Sequence, residues 1–312
     1  MFFPVSGVEA NPIMLLLVAF CICFFGSMGG ISGAFLLLPF QMSFLGYTLP
    51  SVTATNHLFN VLAIPSGVYR YWREGRLMWP LVWIVIIGTL PGVFIGVFIR
   101  VHYLPNANDF KLFVAMVLFY MASKMFLDMF RKTQKDQEKA MQNKLSKAFE
   151  GNSRKKNGKT TSQMVSLNFH VLCFRCYEIE FSVPFWAIFA LSLAVGIVGG
   201  IYGIGGGAVI AIFFVTFFKL PIYIVAGATL LGTFVTSLAG VAFFEVMDIC
   251  YPNSSLAPDW SLGLIFGIGG ALGMYCGARC QKFVSPKYIK CILILAMTIT
   301  SCKYVWDFLA TF

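Results

Sequence analysis

Long apolar stretches, separated by short polar loops, make up most of this sequence. They lie at residues 12–47, 51–69, 77–100, 108–130, 183–217, 221–244, 260–280 and 287–309. Because about 20 apolar residues are enough for a helix to cross a bilayer, the pattern predicts an all-α polytopic membrane protein. The first and fifth stretches are too long for one helix, and each contains a cluster of glycines. Each is therefore predicted to form a hairpin of two short helices that turns at the glycines.

Composition and charge agree with a membrane protein. Of the 312 residues, 58% are hydrophobic and 12% are charged, whereas soluble domains carry about 25% charged residues. The net charge of +10 does not indicate a nucleic-acid-binding surface, because residues 131–175 alone hold eleven of the 23 Lys and Arg. A basic loop of this kind is typical of the cytoplasmic side of a membrane protein. We therefore expect a lipid bilayer as partner, no nucleic acid, and a location in the cytoplasmic membrane.

The basic segment belongs to a polar insert, residues 131–182, which separates the apolar stretches into two halves. Its first part, RKTQKDQEKAMQNKLSKAFE, favours a short charged helix. Its last part, VSLNFHVLCFRCYEIEFSV, alternates and is rich in β-branched and aromatic residues, which is typical of a small β-hairpin. The predicted division is a first transmembrane repeat at 1–130, a cytoplasmic insert at 131–182 and a second repeat at 183–312.

The two halves resemble each other in sequence. GSMGGISGAFLLLP at 26–39 aligns with GGIYGIGGGAVIAI at 199–212. Later spans share glycines at four-residue spacing, namely Gly88, Gly92 and Gly96 in the first half and Gly269, Gly273 and Gly277 in the second. This spacing favours close helix packing.

The charges of equivalent loops predict how the two halves are oriented in the membrane. The loop at 70–76 is basic, whereas the equivalent loop at 245–259 has three acids and no Lys or Arg. Equivalent loops are therefore expected on opposite sides of the membrane. The halves would then be inverted repeats, each a glycine-broken hairpin followed by three transmembrane helices, with both termini external. Inverted repeats with broken helices are a recurring plan of secondary transporters, which bind substrate near the midplane.

The glycine clusters are the candidate substrate site. Glycine permits a positive φ and close approach of a ligand to the backbone. The half-helix after each turn is expected to begin near Gly33 or Ala34 and near Gly206 or Gly207, where free N–H groups suit a small oxyanion. The candidate residues of the turns are Gly30, Ser32, Gly33, Tyr202, Gly203, Gly205, Gly206 and Gly207. Close packing of small residues is the other interpretation of these clusters.

Polar residues on the second span of each half extend this candidate site. Thr53, Asn56, His57 and Asn60 share one helical face, and the equivalent helix carries Thr229, Thr233 and Thr236. Of these, Asn56, His57, Thr229 and Thr233 are the candidate substrate ligands. Polar groups within a membrane usually face a cavity or the bundle interior. Two roles are open for His57: binding substrate or a proton, and an interhelical hydrogen bond.

Other chemistry is sparse in the spans. The apolar cores contain almost no basic side chain, and Arg100 is placed at the end of a segment, where a charge is ordinary. The predicted spans contain no cluster of residues that could act as a nucleophile with its base, or that could bind a metal. We therefore expect that the protein is not an enzyme and has no cofactor.

The motif GGIYGIGGGAVIA, its degenerate copy in the first half and the GxxxGxxxG spans resemble the sulfite exporter TauE/SafE family of membrane transporters. The resemblance implies outward transport of sulfite, an organosulfonate or another small sulfur-containing anion. The first copy has Ser32 and Ala34 where the second has Gly205 and Gly207, so the two hairpins are not chemically equivalent. An anion channel, or a transporter of another small anion, remains an alternative with the same fold.

Overall fold

The computed structural model describes residues 1–29, 32–73, 77–130, 162–167, 171–176, 179–218, 220, 222–252, 254–280 and 286–310. The helices of the first half are α1 Pro12–Gly29, α2 Ala34–Ser43, α3 Ser51–Ala63, α4 Pro65–Arg73, α5 Trp79–His102 and α6 Ala107–Phe130. Those of the second half are α7 Phe185–Tyr202, α8 Gly207–Phe217, α9 Ile222–Cys250, α10 Trp260–Cys280 and α11 Pro286–Leu309.

Six helices in the described ranges are long and apolar enough to cross a membrane. They include residues of α5, α6, α7, α9, α10 and α11. Large apolar side chains remain exposed along them; Trp83 and Ile87, for example, are 55% and 54% exposed. Such surfaces suit contact with lipid, and a soluble monomer rarely has them. The prediction of a helical, multi-pass membrane protein is confirmed.

Both hairpin stretches break at their glycine clusters, as predicted. In the first, α1 ends at Gly29 and α2 begins at Ala34; in the second, α7 ends at Tyr202 and α8 begins at Gly207. The expectation that both arms are short agrees with the first hairpin, in which α1 and α2 are both among the shorter apolar helices, but it is wrong for α7, which is long enough to cross a membrane. Neither first arm contains an internal proline or charge, so nothing ends the helix before the glycines.

The stretch at 51–69 is not the single transmembrane helix that was predicted. It forms two short helices, α3 and α4, which meet at Ile64. The reason is Pro65, which lacks the backbone N–H that would continue the hydrogen bonds of α3, whereas Ile64 itself keeps a helical backbone. The equivalent helix of the second half, α9, is continuous over 29 residues. The first half therefore contributes two of the six long helices and the second half four.

Two small antiparallel sheets correct the all-α prediction. Strands β1 Phe2–Phe3 and β2 Val8–Glu9 pair at the N-terminus. Strands β3 Ser162–Leu167, β4 Val171–Cys176 and β5 Ile179–Pro184 form a three-stranded sheet in the order β3-β4-β5. This sheet has one strand more than the predicted hairpin. The charged helix predicted from residue 131 onward lies outside the described residues.

The glycines at four-residue spacing serve helix packing, which confirms that prediction. A Cβ added at Gly92 or Gly96 of α5 would collide with the carbonyl of Leu193 or Ile197 in α7. The glycines of α10 lie in the same way against α1, in the pairs Gly269 with Leu16, Gly273 with Phe20 and Gly277 with Phe24. Residue numbers rise together in each pair of helices, so α5 runs parallel to α7, and α10 runs parallel to α1.

Contacts between individual residues also give the relative directions of the other helices. His57 of α3 lies against Gly240 of α9, and Gly67 of α4 lies against Leu230, so this pair is antiparallel. In contrast, α9 runs parallel to α5, and α3 runs parallel to α10, as shown by the residue pairs Val85 with Gly232, Phe94 with Phe243, Leu58 with Gly263 and Leu62 with Gly267. Helices α6 and α11 are antiparallel, because Ala115 contacts Ser301 and Lys111 approaches Asp307.

Buried aromatic side chains from both halves form a common core. Its large, fully buried members include Phe35 of α2, Phe59 of α3, Tyr202 of α7, Phe214 of α8 and Phe266 of α10. Within the membrane this core does not gain from exclusion of water, so its contribution is close packing against neighbouring helices. The core holds both glycine turns against α3.

Candidate functional site

The second glycine turn has a backbone that only glycine adopts readily. Gly203 has φ 83° and Gly205 has φ 66°, both in the left-handed region. Gly203 ends α7, and its N–H donates to the carbonyl of Gly199 at 2.9 Å. A Cβ at Gly203 would also lie 2.5 Å from the carbonyl oxygen of Thr53. Both the conformation and the close contact with α3 therefore require glycine at this position.

The first turn is built differently. Gly33 precedes α2, and a Cβ there would overlap the sulfur of Cys23 in α1. Ser32 accepts two hydrogen bonds at the start of α2: its hydroxyl from the Ala34 N–H at 3.4 Å and its carbonyl from the Phe35 N–H at 3.3 Å. Gly30, the remaining candidate in this turn, lies outside the described residues.

Asn60 of α3 joins the two turns. Its Oδ1 accepts a hydrogen bond from the Ser32 hydroxyl at 3.4 Å, and its Nδ2 donates to the Gly203 carbonyl at 3.3 Å. The side chain is fully buried. Sequence reasoning placed Asn60 on the polar face of this helix but not among the substrate ligands. The spacing of the face was visible in sequence, but the contact with both turns was not.

Asn56 and Tyr202 make further links across the site. Asn56 Nδ2 donates to the Ala34 carbonyl at 3.2 Å, and the Tyr202 hydroxyl donates to the Phe35 carbonyl at 2.8 Å. Each bond therefore ends on the first turn of α2. Asn56 Oδ1 is buried and has no hydrogen-bond partner among the described residues. It is an open acceptor for a water molecule or a protonated oxyanion.

Helix α9 lines the other side of the second turn. A Cβ at Gly207 would overlap the Thr229 carbonyl and the Thr233 hydroxyl. Those two hydroxyls donate within their own helix, to Val225 at 3.1 Å and to Thr229 at 2.9 Å. Thr229 and Thr233 thus lie at the turn, as predicted, while their hydroxyl protons are already engaged.

Ser237, which sequence reasoning did not select as a ligand, also lies beside this turn. A Cβ at Gly205 would come within 2.8 Å of its Oγ. The hydroxyl is buried and has no hydrogen-bond partner in the described part of the chain. Its place one helical turn beyond Thr233 was the signal available in the sequence.

The two turns differ in the backbone donors that they leave open. Among the described residues, the N–H groups of Gly206 and Gly207 have no acceptor. At the first turn, Ser32 and Gly33 accept from the N–H groups of α2. Unpaired N–H groups at a helix N-terminus carry partial positive charge and bind anions. The start of α8 is therefore the better anion site, because Gly205 has no side chain that caps the helix.

His57 lies on the same polar face of α3, where its ring packs against α9 rather than against a glycine turn. Its ring packs against α9, with Phe244 at 6.3 Å between ring centroids, and a Cβ at Gly240 would lie 2.9 Å from Nε2. The Gly200 backbone of α7 lies beside the ring, and neither ring nitrogen has a hydrogen-bond partner within the standard distance and angle limits among the described residues. Both roles considered for His57 therefore stay hypotheses.

The environment of Arg100 differs from the one expected from the sequence. It lies at the end of α5, as expected, yet its side chain is fully buried rather than placed at an ordinary exposed helix end. Its Nε donates to the Thr53 hydroxyl at 3.2 Å, and that hydroxyl donates to the Ile201 carbonyl at 3.2 Å. A buried cation is therefore connected to the residue just before the second turn.

Comparison with known proteins agrees with this architecture. Neither the curated proteins nor the solved structures contain a significant match to this sequence. The profile of the family described as "Sulfite exporter TauE/SafE" matches residues 15–304, which include both glycine turns and all the described helices except the ends of α1 and α11. This chain therefore belongs to the sulfite exporter TauE/SafE family.

Proposed function

We propose that this protein is a secondary transporter that exports sulfite, or a small organosulfonate, across the cytoplasmic membrane. Membership of an exporter family supports transport of a sulfur-containing anion. The observation that carries the proposed site is the hydrogen bonding of Asn60 to both glycine turns, beside the open N–H groups of Gly206 and Gly207. Substrate would bind there, near the midplane between the two hairpins.

The chemistry of this site suits a small oxyanion. The N–H groups of Gly206 and Gly207 would donate to its oxygens, and the Ser237 hydroxyl is available beside them. The dipole of α8 adds favourable electrostatics, so no charged side chain is needed at the turn itself. A membrane potential negative inside favours outward movement of an anion by about 2.3 kcal/mol per charge per 100 mV. Export would therefore not require a coupled ion.

We further propose that residues 1–130 and 183–312 are inverted repeats, with external termini and a cytoplasmic insert at 131–182. The helix directions support this arrangement. Helix α1 is parallel to α10 and α7 to α5, while α3 is antiparallel to α9 and α6 to α11. Taken together with the parallel pairs α5–α9 and α3–α10, helices α1, α3, α5 and α6 each run opposite to their counterparts α7, α9, α10 and α11. Movement of the hairpins against the remaining helices would provide alternating access.

Cysteine labelling in whole cells tests the inverted topology. In a background without native cysteines, Ser254→Cys is expected to react with a membrane-impermeant maleimide from outside. Arg73→Cys in the equivalent loop is expected to react only after the cells are permeabilised. Both positions are exposed, so accessibility to the reagent depends on the side of the membrane. Labelling of both cysteines from the same side would contradict inverted repeats.

Counterflow in proteoliposomes tests the function. Vesicles containing the purified protein would be preloaded with sulfite, sulfoacetate, taurine, sulfate, thiosulfate or acetate, and uptake of labelled sulfite would be measured. We expect saturable uptake that only the sulfur-containing anions stimulate. Flux that does not saturate and needs no internal anion would indicate a channel. Stimulation by acetate alone would indicate a carrier for another class of anion.

A further inference from the structure

Arg100 is a buried cation that has no counter-ion in the described part of the chain. Its side chain is fully buried, and it forms no ion pair with any described acid. Removing an unpaired charge from water is strongly unfavourable. The C-terminal end of α5 offsets part of this cost through its partial negative charge. A charge that is retained under these conditions is a functional candidate in a membrane protein.

The hydrogen bonds of the Arg100 guanidinium go only to neutral groups. Nε donates to the Thr53 hydroxyl, Nη1 to the Leu104 carbonyl, and Nη2 to the Thr48 carbonyl at 3.4 Å. One face of the group stacks on the Phe110 ring at 3.7 Å. A guanidinium has five N–H groups, so two of them have no acceptor among the described residues. Charge and donor geometry both remain available for an oxyanion.

Asp259, one of the acids at the same end of the bundle, does not pair with Arg100. Asp259 is buried, and its carboxylate accepts from the Ser6 N–H, the Ser6 hydroxyl at 2.8 Å and the Leu262 N–H. Its own backbone N–H donates to Thr55. This carboxylate therefore caps α10 and anchors the N-terminal segment. It is engaged by other donors, and no acid among the described residues forms an ion pair with Arg100.

Thr53 lies between Arg100 and the second glycine turn. Its hydroxyl accepts from Arg100 and donates to Ile201, and its carbonyl lies against Gly203. In this conformation, Thr53 therefore separates the second glycine turn from the Arg100 guanidinium. If the second hairpin moves away from α3 during transport, the Thr53–Ile201 and Asn60–Gly203 hydrogen bonds must break, because both join α3 to that hairpin. The Arg100 donors would then face the open side of the turn.

We propose that Arg100 is a second anion-binding residue, closed in this conformation, which receives the sulfur oxyanion as it leaves the second glycine turn for the outer face. The inference rests on the proposed transport function and topology. It adds an exit subsite to one half only. The counterpart of α5, which is α10, has Arg279 in its last turn, but that side chain is exposed and stacks on Tyr275.

Sided transport measurements test this subsite. Labelled sulfite counterflow would be measured in right-side-out and inside-out membrane vesicles, which gives a half-saturation concentration for each face. Arg100→Gln is expected to raise the outer value about tenfold, since hydrogen bonds to a charged group contribute about 1.5 kcal/mol or more. The inner value should stay unchanged. Arg279→Gln is the matched control, because it removes an exposed arginine at the equivalent helix end, and both of its values should equal those of the unchanged protein.

The outcomes separate the alternatives. Equal changes at both faces, or no change at either face, would show that Arg100 has only a structural role and would overturn the proposal. If Arg100→Gln does not reach the membrane, the same measurements are made with Arg100→Lys. Lysine keeps the positive charge but lacks the planar guanidinium, which can bind an oxyanion through two N–H groups. A rise confined to the outer face supports the subsite, and equal values at both faces reject it. Absence of saturable counterflow in the unchanged protein would reject the transport function, and the subsite with it.

Discussion

Replacing Gly207 with alanine is expected to abolish transport and to destabilise the protein by about 1–3 kcal/mol, the usual cost of overpacking. The added Cβ would overlap the Thr229 carbonyl, which is backbone, and the Thr233 hydroxyl. Neither the start of α8 nor the adjoining turn of α9 can accept the methyl group by a change of rotamer. One helix must move, and this displaces the N–H groups at the proposed anion site.

Sulfite counterflow and the melting temperature of the purified protein in detergent would measure both effects. Gly67→Ala is the matched control, because Gly67 is also helical but its Cβ would meet only the flexible tip of Leu230, at 2.8 Å. We expect that variant to transport and to melt as the unchanged protein does. Normal flux in Gly207→Ala would show that close packing of α8 on α9 is not needed for the site.

Replacing Asn60 with leucine is the second change for which we expect a large effect. Leucine is similar in size, but it would leave the buried Gly203 carbonyl and the Ser32 hydroxyl without their partner. An unsatisfied buried polar group costs about 1–3 kcal/mol. Because Asn60 sets the two turns relative to each other, we expect the half-saturation concentration for sulfite to rise about tenfold or more.

The same counterflow assay, with binding measured by thermal stabilisation at increasing sulfite, would check this expectation. Asn106→Leu is the matched control, since it makes the same chemical change at an exposed loop position whose amide pairs only with Asp109. Ser32→Ala should have a smaller effect than Asn60→Leu, because the Asn60–Gly203 hydrogen bond remains and the bonds that are lost, to Asn60 and from the Ala34 N–H, are both long at 3.4 Å. If Asn60→Leu retained the sulfite affinity of the unchanged protein, the two turns would not form a common site.

The features predicted correctly from sequence depend on local chemistry. Gly203 and Gly205 mark a turn because their backbone conformation is unfavourable for other residues, and this requirement is visible in a single stretch of sequence. The starts of α2 and α8 follow directly from these turns. The glycines at four-residue spacing indicated a packing face for the same reason, since a helix presents every fourth residue to one neighbour.

Other predictions were wrong for one of two reasons. Either the effect of a single residue was overlooked, or the structure depends on contacts between residues that are far apart in the sequence. Pro65 divides α3 from α4, although the surrounding hydropathy suggested one span. The first two strands of the chain escaped prediction because each is only two residues long. Arg100 is at a helix end in sequence, yet the loop before α3 and residues of α6 enclose it.

By itself, the sequence determined that this is a helical membrane protein of the TauE/SafE family with two glycine-broken hairpins. Hydropathy and glycine conformation are properties of short segments, so no knowledge of tertiary contacts was needed. Only the tertiary structure decided that Asn60 joins the turns and that Arg100 is buried. It also decided that, among the described residues, the N–H groups of Gly206 and Gly207 have no acceptor and Arg100 has no counter-ion. Each of these facts depends on which groups from distant parts of the chain lie within about 3 Å, the distance at which hydrogen bonds form or fail.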